Sequence, residues 1–228
     1  MKRISKRHKE NKKSLNKKEP YSLAEAITVL KNTKKVKFDE TLEIAIVLNK
    51  EKNKGENLAK GSSKLPHGTG KKIKIAVFAS SEKIDEAKKA GADIVGNEDL
   101  IKKINEGKIE FDIAISTPEM MKDLAPIASK LGPLGIMPNP KTKTVTDNLT
   151  ETIKDFKEGQ IQFKSEKAGI VHAGIGKISF PNENLITNVK EFLDKVKKSK
   201  PDVIKGQFIK KIYLSLSMGP SLKISSVK

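Results

Sequence analysis

The sequence predicts two domains of different class: an α+β sandwich assembled from both chain ends, with a Rossmann-like α/β domain inserted between them. Three observations carry that expectation. Residues 38–48 (FDETLEIAIVL) and 207–217 alternate apolar and polar positions with the period of a half-buried strand, although they stand far apart in the 228 residues. Between residues 73 and 159 the pattern changes to short apolar runs separated by helical segments, which implies a small parallel sheet with helices on its faces. Charge divides at the same places: residues 1–70 hold 18 Lys/Arg against 8 Asp/Glu, residues 71–159 hold 15 against 15, and residues 160–228 hold 13 against 5. The net charge of +18 therefore belongs to the flanks, which suits a polyanion-binding domain beside an electrically neutral one.

Taken in order, residues 1–19 carry nine Lys/Arg against Glu10 and Glu19 with little apolar content, and read as a flexible basic arm. Residues 20–66 and 160–228 form the discontinuous α+β domain, and residues 67–159 the inserted one. Leu23, Ile27 and Leu30 share one helical face, with Ser22 as N-cap and Glu25 three residues later. Leu42, Ile44, Ile46 and Leu48 then form the inner face of the opening strand. From Asn49 to Gly70 the pattern dissolves into Gly, Lys and Ser, a loop and crossing that can hold one strand around Leu58.

In the insert, residues 73–79 (IKIAVFA) are a buried strand, followed by a helix from Glu82 to Ala90 capped by Ser81 and a short strand at Ile94-Val95. Asn97 caps a helix to Glu106, and residues 112–116 are the next strand. Thr117-Pro118-Glu119 starts a helix expected to run to Leu131. Three prolines and two glycines between Gly132 and Pro140 exclude helix and central strand there. That loop is either a prepared binding surface or a structural crossover; composition does not separate the two. A last helix at 149–157 stops at Gly159. The returning flank supplies strands at 160–164 and 171–180 around a Lys167-Ala168-Gly169 turn, a helix from Leu185 to Val196, and the closing strand at 207–217, which ends at Met218-Gly219-Pro220.

Several function classes drop out. The chain has no cysteine, so disulfide frameworks and thiolate metal sites are excluded. No run approaches the roughly 18 apolar residues of a membrane span, and the first residues lack the apolar centre of a secretory signal. The chain is expected to work where it is made, in the cytoplasm. His67-Gly68-Thr69-Gly70-Lys71-Lys72 lacks the spacing of a phosphate loop and precedes a strand. The strand ending at Phe78-Ala79-Ser80 has no glycine turn for a dinucleotide. His8, His67 and His172 are too scattered for a triad or a ligand set. No catalytic residue, metal site or cofactor is expected, and a membrane partner is disfavoured because no helix joins a Lys face to an exposed aromatic face.

One cluster survives. Where the opening and closing strands meet, Lys37, Phe38, Thr41, Ser217, Met218 and Gly219 offer a cation, an aromatic face, two hydroxyls, a soft apolar side chain and a glycine permitting close approach. Those ingredients suit structured RNA; Phe38 and Met218 fit a core equally well. Of 46 basic residues only Arg3 and Arg7 are Arg, so any base specificity must come from something other than the planar guanidinium fork.

These residues, with LPHGTGK at 65–71, GADIVG at 91–96, LGPLGIMPNPKTKTV at 131–145 and the stretch from KGQFIKK at 205 to SMGP at 220, resemble the large-subunit ribosomal protein L-one family over nearly the whole chain beyond the arm. The resemblance implies a two-domain, hinged, non-enzymatic protein that is a monomer when free and binds the mobile stalk of large-subunit ribosomal RNA beside the exit site for deacylated tRNA. It further implies, for bacterial members, repression of translation from the protein's own operon messenger; an organellar ribosome is the alternative setting. Family RNA contacts fall on Lys37, Phe38, Thr41, Lys167, Gly169, Ser217, Met218 and Gly219, and the hinge on Pro66, Gly68, Gly70 and Gly159. The family usually has Thr where Ser217 stands here, which keeps the hydroxyl and loses a methyl contact.

Overall fold

The computed structural model describes residues 6–13, 15, 20–33, 36–49, 59–80, 83–107, 109–201, 204 and 206–225. The strand expected around Leu58 and the Ser81 cap lie outside them. The chain divides into two compact units, residues 1–71 with 161–228, and residues 72–160.

The first unit contains α1 (Lys6–Lys13), α2 (Leu23–Lys31), β1 (Thr41–Leu48) and β2 (Lys60–Lys64) from the first flank. The second unit follows with β3 (Ile75–Phe78), α3 (Ile84–Lys89), β4 (Ile94–Gly96), α4 (Glu98–Asn105), β5 (Ile113–Ser116), α5 (Ala128–Leu134) and α6 (Leu149–Glu158). The chain then gives β6 (Gln160–Lys164), β7 (Ile170–Lys177), α7 (Asn182–Lys198), β8 (Ile209–Leu216) and β9 (Ser221–Ile224).

In the first unit β7, β1, β8 and β9 make one antiparallel sheet in that order. Alternation decides its two faces. Leu42, Ile44 and Ile46 of β1 and Leu214 and Leu216 of β8 are buried under α2 and α7, which contribute Ile27, Leu30, Val189 and Phe192. Thr41, Glu43, Ala45 and Val47 lie on the opposite face. Ile44 pairs with Leu214 and Ala45 with Tyr213, so the two distant flanks are in register from Leu42 to Val47, with a shift between Val47 and Leu48. β2 and β6 form a separate ribbon, and Phe163 of β6 meets Phe192 edge-on at 5.5 Å. The expected capping box is present: Glu25 N–H donates to Ser22 Oγ and Ser22 N–H to Glu25 Oε2. Hydrogen bonding of the Glu25 carboxyl by the Ser22 hydroxyl, and then by the Ser22 amide, holds it below its ordinary range.

The second unit is a parallel sheet in the order β4-β3-β5. Ala76 and Phe78 face one apolar layer with Leu100, Ile104 and Leu124, while Ile75 and Val77 face another with Ile153 and Phe156. Both faces are therefore covered, as parallel sheets require.

Four expectations are corrected. Within the stretch expected to be a flexible arm, residues 6–13 are helical, Asn11 is buried and Leu15 packs on the first core. The single helix from Glu119 to Leu131 is instead two 3-10 turns at 119–121 and 125–127 followed by α5, because Pro126 has no N–H to continue the ladder. α5 runs through Gly132 and Pro133 to Leu134 and stops at left-handed Gly135, so the start of the Gly132–Pro140 segment is helical after all. Asn97 precedes α4 without a capping bond from its side chain. β9 was not expected; the turn at Met218-Gly219 sends the chain back along β8.

One buried side chain fastens the crossing between the units to the first core. Asn188 of α7, fully buried, accepts from His67 N–H at 3.1 Å and donates to Gly68 O and Ile175 O, each at 3.0 Å. Asn188→Ala leaves the buried Ile175 carbonyl short of a partner, while the His67 amide and the Gly68 carbonyl lie where water can reach them. A loss of about 1–3 kcal/mol in urea unfolding is expected, the cost of one orphaned buried polar group; a change under about 0.5 kcal/mol would show that the clamp carries little.

Candidate nucleic-acid interface

At the start of β1 the chain ends meet through backbone and side-chain bonds that cross 176 positions of sequence. Ser217 N–H donates to Thr41 O at 3.1 Å. The Ser217 hydroxyl accepts from Thr41 N–H at 3.2 Å and reaches Glu43 Oε1 at 3.2 Å. Glu40, 4% exposed, accepts from Met218 N–H at 2.9 Å. Gly219 N–H closes the turn on Leu216 O at 2.9 Å. A Cβ at Gly219 would stand 3.0 Å from Leu216 Cβ, so glycine is what lets the turn fold this tightly.

That framework pushes two large apolar side chains into solvent. Phe38 is 55% and Met218 57% exposed, which removes the core alternative for both. Lys37 is exposed beside them. Lys177 Nζ donates to Thr41 Oγ1 at 3.1 Å and to Asp39 O at 3.2 Å, placing another cation at the same corner. From the arm, Arg7 Nη2 donates to Met218 O at 3.0 Å. Chemically this is a platform of two soft apolar surfaces and several cations, with carboxylates Glu40 and Glu43 buried in or folded against its frame.

Six of the eight predicted contact residues, Lys37, Phe38, Thr41, Ser217, Met218 and Gly219, come together here. Lys167 and Gly169 do not. They form the β6–β7 turn, where Gly169 has a left-handed φ of 78° and its carbonyl accepts from Leu48 N–H at 2.9 Å. Leu48 is the far end of β1, so seven residues at about 3.3 Å each put roughly 23 Å between the two groups. The outer sheet face joins them, through Ala45, which pairs with His172 on one side and Tyr213 on the other.

The four hinge positions also differ. Pro66 and Gly68 belong to the turn that Asn188 holds. Gly70 (φ 70°) and Gly159 (φ 116°) adopt left-handed conformations next to the unit boundaries. A Cβ at Gly70 would lie 2.8 Å from Lys177 Cγ and 3.0 Å from Phe180 Cζ.

Glu40, Lys177 and Arg7 were missed as site residues. Glu40 was visible one position before Thr41, but only the folded turn shows its acceptor reaching Met218. Lys177 and Arg7 carry no local signal, since Lys is everywhere in the flanks and the arm's docking depends on tertiary contact. Among the described residues no helix is long and apolar enough to cross a membrane.

The pattern of the ribosomal protein L1p/L10e family matches residues 30–220. The chain is similar to the large ribosomal subunit protein uL1 of Thermosipho melanesiensis, 45% identical over 99% of this chain and 97% of that protein. It is also similar to the proteins of the same name from two strains of Rickettsia bellii, 47% identical over 90% of this chain and 85% of theirs.

The Ser217 hydroxyl ties the two flanks, so Ser217→Ala is expected to lower stability by about 1 kcal/mol, the net worth of a typical hydrogen bond. Ser217→Thr, which keeps the hydroxyl, should stay within about 0.5 kcal/mol of the parent in the same denaturation experiment. Equal losses for the two variants would show that the hydroxyl is not the tie.

Proposed function

The chain belongs to the ribosomal protein L1p/L10e family, and from that premise we propose that its first unit binds the mobile stalk of large-subunit ribosomal RNA. It is a structural protein of the large ribosomal subunit in the cytoplasm and not an enzyme. The observation that carries the RNA reading is the platform: Phe38 and Met218 stand exposed on one tight frame, in the part of the chain that holds the whole net positive charge.

Recognition works in two layers. Lysines of the flanks meet phosphates and release counterions, which gives affinity without selectivity. Phe38, Met218 and the Thr41–Ser217 frame fit one RNA shape, which gives selectivity. Lys167 and Gly169, roughly 23 Å away along β1 by strand geometry, act as a second contact on the same RNA across the open sheet face. The second unit is carried on the chain at Gly70 and Gly159 and swings there, with Pro66 and Gly68 held as part of the first unit. In this setting the protein also meets exit-site tRNA, assists release of deacylated tRNA, and represses its own operon messenger through a structure resembling the ribosomal one. When free it is a monomer.

The two layers separate in filter binding against a ribosomal stalk fragment and a scrambled RNA of equal length. Met218→Ala is expected to weaken the stalk fragment by roughly 1–3 kcal/mol, the range of lost base-stacking contacts, and the scrambled RNA hardly at all. Lys37→Gln should weaken both alike and reduce the salt slope by about 1. Equal losses on both RNAs for Met218→Ala would refute the division. Replacing residues 72–159 by a glycine linker should leave selective binding largely intact; an unfolded product would refute assembly of the first unit from the flanks.

A further inference from the structure

Behind the platform lies a cavity of about 370 Å³, at the small end of the roughly 300–1,000 Å³ that ligand pockets occupy. Its apolar wall is Leu30, Val36, Ile178 and Leu216, and Phe38 stands among its lining residues while more than half exposed. Lys31, Asp39 and Glu40 also line it. Among the described residues, its lining therefore holds two carboxylates and one ammonium.

The polar groups have specific unfilled capacity. Glu40 is almost wholly buried and uses Oε1 on the Met218 amide; its Oε2 has no hydrogen-bond partner among the described residues. Asp39 accepts from the Ser179 hydroxyl at 2.8 Å and the Ser179 amide at 3.3 Å, which orients its carboxylate, and each ionised oxygen can accept more than one bond. Lys31 is steadied on Phe180 O and an ammonium has three donors. Ionised carboxylates only accept hydrogen bonds, so their open positions call for a donor-bearing partner, and the Phe38 ring beside them for a flat one. Among the RNA bases guanine alone presents an imino N–H and an amino group side by side with a carbonyl oxygen next to them. That sequence of two donors and an acceptor matches carboxylates beside an ammonium in kind.

We propose that this cavity receives one unpaired guanine of the bound RNA, covered by the Phe38 ring and read by Asp39, Glu40 and Lys31. The proposal rests on the RNA-binding reading above and adds a base-specific subsite to it. Splayed bases stacked on aromatic side chains and hydrogen-bonded along their pairing edge are the usual means of sequence reading in folded RNA. Continuity with the platform favours the assignment, because Glu40 touches both: one oxygen fixes Met218 and the residue itself lines the cavity.

The test first scans a ribosomal stalk fragment with the wild-type protein, and that scan needs no variant to fold. Each unpaired guanosine is replaced in turn by an abasic ribose, by inosine, which lacks the amino group, and by 2′-deoxyguanosine. One position is expected to lose about 30-fold or more when abasic and about 10-fold as inosine, in line with a bidentate base contact, with little change as the 2′-deoxy nucleotide. Val36→Phe, which fills the cavity without removing a hydrogen bond, should weaken the intact fragment as much and bind the abasic fragment as tightly as wild type does. A flat abasic series with selective binding intact would overturn the guanine subsite and leave the RNA reading standing. Loss on 2′-deoxy substitution without loss at the abasic site would assign the cavity to a ribose and equally overturn it. Absence of selective binding by the wild-type protein would sink the RNA reading itself, and the subsite with it.

Discussion

Antiparallel pairing of Thr41–Leu48 with Ile209–Leu216 is the constraint on which the rest of the first unit depends. Neither strand has value alone. β1 buries Leu42, Ile44 and Ile46 only because β8 lies beside it and α2 and α7 lie across both, and the platform exists only where the ends of these strands meet. Closing a loop of this length adds little entropy beyond that of a much shorter one, since the cost rises with the logarithm of length. The non-local register slows folding more than it weakens the product. The inserted unit shortens the effective closure further, because its own sheet and two apolar layers are complete within residues 72–160.

Charge and shape divide their labour in the same unit. Dozens of lysines supply a diffuse field, which has reach but no geometry. The geometry comes from a few groups that are not cationic: the Ser217 hydroxyl, the buried Glu40 and the Gly219 turn. A carboxylate inside a basic surface is expensive to desolvate, and here it orients a backbone amide that in turn fixes where Met218 projects. The exposed apolar pair and the buried acid are thus one construction.

Much of this was legible in the sequence, for local reasons. The period-2 runs of β1 and β8, the Ser22–Glu25 capping box and the Lys167–Gly169 turn each depend on neighbours a few residues away, and each is where the residues put it. What was not legible depends on distant contacts. The Asn188 clamp joins a helix to a loop some 120 positions earlier. The docking of Arg7 on Met218 spans nearly the whole chain. Pro126 breaks the 119–131 segment in spite of the strong start at Thr117-Pro118-Glu119, and β9 was hidden because Met-Gly-Pro reads as an end and serves as a turn. Among the site residues, the cluster at the strand ends followed from alternation alone, whereas the separation of Lys167 and Gly169 from it follows only from the direction of β1.

The discontinuous layout has a consequence for synthesis. At about 5–20 residues per second, β1 is synthesised roughly 8–34 s before its partner β8 is complete. Until Ile170–Lys177 is made neither hydrogen-bonding edge of β1 has its strand, and the edge that β8 takes stays open for the rest of the interval, while the insert emerges whole and can fold at once. Assembly in the cell therefore runs from the middle outward, and the nascent opening strand is the segment most in need of protection by a chaperone.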